Sequence, residues 1–435
     1  MVTFICVVLP LVMVVSTINR HPKFSPIDEG AHWDYVERVY VHGVPTFGDR
    51  LMKSTLRELS CRGTRLDGLV LPACDARRLP YENYPGGAYQ YEAQQPPLYY
   101  LLTAPPARLI EAVTGIGSVG ATRLLGAVWL IAGLLVLWRV VDLLKIRRAP
   151  SLMTIAVVAT APTVVYYSSL VTNDSMGILC GSLAALVGAA ASVHHKAYTK
   201  TAVALGVGVA LVKTSCALPA GVVGLVLLAL PLNSCWQRRR GTEPTYDSRH
   251  LAKTGLGLIT GAILGTLIWV AYYRVTATIE PKTLPTFDVM RIDSMTPSII
   301  LQQAKSFLGV LTDSYTPFGV WNGEVFGLVA FFLTLAIVAG LSGGAFSATR
   351  QWWSVAGPIV LTSLYLGGVV IGIGIWRAYD INPGVSARYA LPMLPLIALI
   401  IPAGIQRRGG RIIYGTGCAF LALINVWMIS HVSLA

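Results

Sequence analysis

Asp28 and Glu29 stand side by side in the stretch PIDEGAHWDYVERVYVHGVP (26–45), and His32 follows one helical turn later. Carboxylates and imidazoles are groups that take up and release protons, and here they follow directly on an apolar segment, TFICVVLPLVMVVSTI. Other charged residues stand at similar junctions. Glu92 lies in YQYEAQQPPLYY, Asp174 in SLVTNDSMG and Lys213 in VKTSCALP, and Arg377, Asp380, Arg388 and Tyr389 lie in IWRAYDINPGVSARYALPMLP. Charge close to hydrocarbon carries a desolvation cost, which makes each of these a candidate for binding or chemistry. Each also has a plainer reading. The Asp-Glu pair can favour a helix macrodipole, and Asp174 can cap a helix that begins at Ser175. Arg377 and Arg388 can be interfacial anchors, Glu92 beside its prolines a solvated loop residue, and His32 a helix-surface residue. A common depth is what would set them apart, and that depends on how the chain threads.

The chain of 435 residues is 54% hydrophobic and 13% charged, with a mean hydropathy of +0.61. Soluble domains carry roughly a quarter charged residues, so the composition is that of an all-α polytopic membrane protein. Runs such as VGATRLLGAVWLIAGLLVLWRVV, SLMTIAVVATAPTVVYYSSLV and GLVAFFLTLAIVAGL approach the ~20 residues that cross a bilayer. The first segment lacks a basic leader and a small-x-small cleavage site, and reads as a retained anchor. A net charge of +13 raises nucleic acid as a partner, but its distribution excludes that reading. The dense basic clusters, at 145–148, 194–200, 237–253, 348–351 and 406–411, fall in short loops between apolar runs, as the positive-inside rule expects of cytoplasmic loops.

Keeping those loops on one side constrains the rest. Residues 97–113 would pass a hydropathy test, yet a crossing there would put the later basic loops on the wrong side. With Pro105, Pro106, Arg108 and Glu111 inside it, the segment is expected to lie at the outer interface. Residues 19–118 then form one external region, and 276–322 a second, both too long to be simple connectors. The run 201–232 must enter and return, with its hinge near VKTSCALP and Lys213 at the hinge. The whole chain, 1–435, is expected to be a single transmembrane domain of about eleven crossings. Cys61 and Cys74 lie in the first external region and can pair if it faces an oxidising compartment. No glycine-rich phosphate loop, zinc spacing or nucleophile elbow is present. GVGVALVKTS lacks the P-loop spacing and sits in an apolar helix.

On this threading the candidates converge at one membrane face. In order along the chain, DEGAHWDYVERVYVHGVP, YEAQQPPLYYLLTAP, GATRLLGAVW, APTVVYYSSLVTNDSM, ALVKTSCALPAG and SARYALPMLPLIAL resemble the GT-C superfamily. These are integral-membrane glycosyltransferases that use polyprenyl-phosphate-linked sugars. The resemblance spans nearly the whole chain through short motifs. It departs at Gln95, where such proteins often carry His before the paired prolines. The resemblance implies that an acidic residue of the first external loop is the catalytic base, Asp28 first and Glu29 second. It also implies a polyprenyl phosphate leaving group stabilised by positive charge, for which Lys213, Arg377 and Arg388 are the expected suppliers, and a single displacement that inverts the anomeric centre. His32, Glu92, Asp174, Asp380 and Tyr389 are expected to bind substrate or support the base, and Tyr315 and Trp321 to stack on an acceptor. The acceptor is a glycan, lipid or protein outside the cytoplasm, and the sugars to expect are arabinofuranose and mannose. A divalent metal between Asp28 and Asp174 occurs in some relatives, but no cofactor is expected here. The competing classes are a transporter or lipid flippase, and a non-catalytic scaffold for envelope assembly. No internal repeat favours a transporter.

Overall fold

The computed structural model describes residues 1–26, 28–64, 69–239, 249–280, 283, 290–312, 323–343, 352–382, 384–405 and 407–431. Among them the chain is helical, with three isolated β-bridges and no strand. Successive α-helices are α1 (Leu9–Arg20), α2 (Glu29–Val41), α3 (Lys53–Arg62), α4 (Leu98–Thr114), α5 (Ser118–Leu143) and α6 (Arg148–Thr160). They continue with α7 (Pro162–Ser168), α8 (Gly177–His194), α9 (Thr199–Val212), α10 (Ala217–Arg239) and α11 (Arg249–Thr276). The last are α12 (Pro297–Ser306), α13 (Gly323–Gly343), α14 (Trp352–Tyr379), α15 (Leu394–Gly404) and α16 (Arg408–His431).

Among the described residues, seven helical stretches are long and apolar enough to cross a membrane, or eight if α6 and α7, bent by 56° at Ala161–Pro162, count as one span. Three shorter apolar helices, Phe4–Arg20, Thr199–Val212 and Leu333–Gly343, stand where the hydropathy pattern expects further crossings. Segment 97–113 forms α4. Run 201–232 breaks as its charges require: α9 ends at Val212, Lys213 is extended (φ −164°, ψ 143°), and α10 restarts beyond a short turn. One continuous cluster of buried apolar side chains runs from Ile5 to Ile429 and joins the bundle.

The two ends of the bundle differ. At one end the basic loops meet: Arg147 donates to the Ile405 carbonyl, and the His195 and His250 rings lie 5.7 Å apart. At the other end the first long loop packs on the top of the bundle. Thr278 N–H donates to the Phe47 carbonyl at 2.9 Å, and Phe47 packs edge-on to Tyr273 of α11. Within that loop Cys61 and Cys74 are bridged, which ties α3 to the segment after it. Two glycines set the approach of the elements that carry the charged residues. A Cβ on Gly126 of α5 would collide with the Ser168 carbonyl, and one on Gly181 of α8 with the Pro392 carbonyl. Only glycine lets α5 close on the end of α7, and α8 on the 387–393 turn.

Candidate functional site

Three chain breaks at this end of the bundle deliver the charged side chains. Asp174 lies in the tight turn Asn173–Met176 that opens α8, Lys213 in the gap between α9 and α10, and Arg388 in the turn Ala387–Met393 that opens α15. Lys213 Nζ meets Asp174 Oδ1 at 2.5 Å, and Arg388 Nε lies 3.6 Å from Asp174 Oδ2. One carboxylate thus faces two cations. Asp174 is not the helix cap, because Thr172 Oγ1 accepts the Asp174 backbone N–H and performs that role. The Tyr389 ring lies beneath both cations, 4.6 Å from Lys213 Nζ and 5.4 Å from the Arg388 guanidinium, and Tyr167 lies 5.4 Å from the latter.

Asp28 joins this group from the first loop. Its backbone adopts the left-handed conformation (φ 59°, ψ 1°) at the start of α2, and its side chain makes no cap hydrogen bond. It points instead to Arg388, with Oδ2 3.2 Å from Nη2, and it also bonds to the Tyr91 hydroxyl. A non-glycine residue at positive φ stores strain that the surroundings must hold, and the Arg388 and Tyr91 contacts are what hold it. Asp28 is the accessible member of the group: its side chain is 32% exposed, against 1% for Asp174. A small pocket of about 20 Å³, bordered by Ser25, Pro26, Asp28, Glu29, Thr64 and Tyr91, lies beside it on the loop side.

Glu29 goes elsewhere. Its carboxylate is fully buried and accepts from Arg123 Nε (2.7 Å) and Nη2 (2.8 Å), the Ser25 N–H (2.8 Å) and the Val171 N–H (3.0 Å). Arg123 also holds the Lys23 and His21 carbonyls. The pair pins the entry of the loop to α5, and each Glu29 oxygen already has two donors. Arg123 was visible in the sequence as the lone cation in GATRLLGAVW, an intramembrane charge of the kind that normally has a partner.

Glu92 is not a solvated loop residue and His32 is not on a helix surface: they are 4% and 2% exposed. Glu92 sits in the turn Tyr91–Gln94, stapled by Trp269 Nε1 donating to the Gln94 carbonyl and by Tyr35 OH donating to the Gln95 carbonyl. Burial first, and then the Asp28 charge, raise its carboxyl from about 4.5 to about 8; Lys213 and Arg388 oppose the rise and Asp174 adds to it. Glu92 is therefore neutral at pH 7. His32 Nδ1 pairs with Tyr100 OH at 2.7 Å, and Nε2 faces Glu92 Oε2 at 3.6 Å. Burial, with Lys213 and Arg388 nearby, lowers the imidazole well below its ordinary value, so it too is uncharged.

Two expected members are not part of this group. Arg377 is exposed at the end of α14, with its guanidinium over the Trp376 ring, and makes no ion pair among the described residues. Asp380, in the left-handed region at φ 57°, accepts the Ile292 N–H through its carbonyl and so aligns 290–292 with 380–382. Tyr315 and Trp321 lie outside the described residues. Among the described residues no three His, Cys, Asp or Glu side chains gather into a metal-binding group; the Asp28 and Asp174 carboxylates face Arg388 and Lys213. Tyr91, Tyr167 and Gln95 carry contacts that the sequence alone does not assign, since aromatics and amides beside apolar runs carry no distinctive spacing. No family model matches the chain, and no curated protein or solved structure matches it either.

Proposed function

We propose that the protein is an inverting glycosyltransferase of GT-C type with about eleven crossings, which moves a sugar from a polyprenyl-phosphate donor to an acceptor on the extracytoplasmic face of the plasma membrane. The observation that carries this reading is the buried pair of cations, Lys213 and Arg388, held together on Asp174 beside the accessible carboxylate of Asp28. Paired cations at the membrane face suit a phosphate, and a guanidinium can grip two of its oxygens. The bridged Cys61 and Cys74 fit an oxidising compartment for this end, and the basic loops at the opposite end fit the cytoplasm.

The acceptor hydroxyl oxygen attacks the anomeric carbon, and the bond from that carbon to the phosphate oxygen breaks. The electron pair leaves with the polyprenyl phosphate, whose charge Lys213 and Arg388 neutralise, while the hydroxyl proton passes to Asp28. A phosphate arriving on Arg388 takes the place of Asp28, which leaves that carboxylate unpaired and ready to accept the proton when the donor is in place. The partly exposed side chain of Asp28 faces the loop side, from which the acceptor approaches in this scheme. Glu29, saturated by Arg123, serves as an anchor in this scheme.

The test is transfer from a synthetic polyprenyl-phospho-sugar by the purified protein in detergent, with no membrane gradient. Turnover is expected. A protein that binds the lipid yet never transfers sugar, and moves it across liposomes instead, is a flippase, and the proposal is then wrong.

A further inference from the structure

Beside the two cations lie polar atoms that the chain itself leaves unmet. Glu92 and Asn173 are buried, yet Glu92 Oε2 and Asn173 Oδ1 have no hydrogen-bond partner among the described residues. Buried acceptors without partners are rare in folded proteins, and each calls for a cause. These two belong to one locale. Asn173 precedes Asp174 in the same turn, and its Nδ2 donates to Gln95 Oε1 at 3.3 Å. Gln95 closes the turn that carries Glu92, through its N–H to the Glu92 carbonyl. His32 Nε2 faces Glu92 Oε2 from 3.6 Å, beyond hydrogen-bond range, with its other nitrogen occupied by Tyr100.

We infer that Glu92, Asn173, Gln95 and His32 form a subsite that reads the hydroxyl groups of a neutral sugar, next to the phosphate position between Lys213 and Arg388. The inference rests on the glycosyltransferase reading and names where the donor's sugar lies. The unmet atoms decide the ligand class. Asn173 Oδ1 is an acceptor, and Glu92 as a neutral acid offers one acceptor oxygen and one donor. A phosphate dianion has no hydrogen to give and meets only the donor, whereas sugar hydroxyls give and take hydrogen and meet all of them. A cation is disfavoured by Lys213 and Arg388, whose charges both reach Glu92. A neutral Glu92 acid also adds a donor to its acceptor oxygen, and an amide at Asn173 does the same, so each can bind a hydroxyl in both directions. Sites built to pair a hydroxyl reject the deoxy analogue strongly, which makes these residues the selectors of the sugar.

The experiment measures binding by the full-length protein in nanodiscs to bare polyprenyl phosphate and to polyprenyl-phospho-mannose, -glucose and -arabinofuranose. Wild-type protein is expected to hold at least one sugar-bearing lipid more tightly than the bare phosphate. Glu92→Ala and Asn173→Ala should each lose about 10-fold for that lipid and bind bare polyprenyl phosphate as before. Glu92→Gln, a neutral isostere, should stay within about 3-fold, and Lys213→Ala should weaken both lipids. Asn173→Ala provides the readout if Glu92→Ala does not fold. Equal affinity of the wild type for all four lipids, or variants that weaken the bare phosphate as much as the sugar lipid, overturns the sugar subsite and leaves the phosphate site standing. A wild type that binds none of them overturns both.

Discussion

Two buried groups of opposite charges stand at the same end of the bundle, and they are built differently. Around Glu29 the accounting closes: Arg123 and two backbone N–H groups satisfy both carboxylate oxygens, and nothing of the pair reaches solvent. Around Asp174 it does not close. Two cations share that carboxylate, the Arg388 pairing with Asp28 is partly exposed, and unmet acceptors lie alongside on Glu92 and Asn173. A closed pair of this kind fixes geometry, since any change leaves a charge stranded in a low dielectric. An open one leaves partners for a third charged or polar group to take. Adjacent residues, Asp28 and Glu29, thereby divide the work.

The comparison is tested most severely at Asp28. Asn keeps the shape and tolerates the left-handed backbone, so Asp28→Asn should fold normally and bind donor while transfer falls by about 10²–10⁴ in single-turnover assays. Full activity in that variant would end the catalytic assignment of Asp28. The closed pair should respond in the opposite way. Glu29→Gln leaves Arg123 buried without its counter-charge and should cost about 3–5 kcal/mol of stability, read as a lowered melting temperature, with turnover per folded molecule largely kept. If Glu29→Gln melts like wild type but is inactive, the two carboxylates exchange roles.

Glu92 sharpens the comparison through pH. Its carboxyl titrates at about 8 in the folded protein and about 4.5 when solvated, so between those values the folded state holds a proton that the unfolded state has lost. Stability contributed by this group therefore falls as pH rises through that window and levels off above it. Besides Asp28, Asp174, Lys213 and Arg388, the groups facing it are His32, Tyr35, Tyr91, Tyr100 and Tyr379. Glu92→Gln should melt close to wild type at pH 4.5 and progressively above it towards pH 9. An offset that does not change with pH sinks the assignment of a neutral acid.

The smallest effect is expected at Arg377. Exposed and stacked on Trp376, it should give Arg377→Ala a donor affinity within about 2-fold of wild type, as surface changes usually do. A loss of 10-fold or more would bring it into the phosphate site after all.

Much of the architecture could be read from the chain because it depends on local sums. Hydropathy over ~20 residues marks a span, and the basic loops place one set of helix ends together. The same charge logic located the break at Lys213, since a run with basic loops at both ends has to turn back. The convergence of Asp28, Asp174, Lys213 and Arg388 followed from that threading, because residues at the same ends of neighbouring helices share a depth. Depth alone does not choose partners. Glu29 found Arg123 at a separation of 94 residues and Asp28 found Arg388 at 360, and no local pattern distinguishes the two neighbouring carboxylates. The burial of Glu92 was likewise hidden, because a turn beside paired prolines looks solvated until Tyr35 and Trp269 close over it. Arg377 matched Arg388 in type and in distance from an apolar run, yet helix α14 carries one outward and the turn before α15 carries the other inward. Additive transfer energies, summed along the sequence, bring these residues to one end of the bundle. Only the packing of distant segments decided which charges pair, because an ion pair in a low dielectric is set by ångström-scale geometry between elements far apart in the chain.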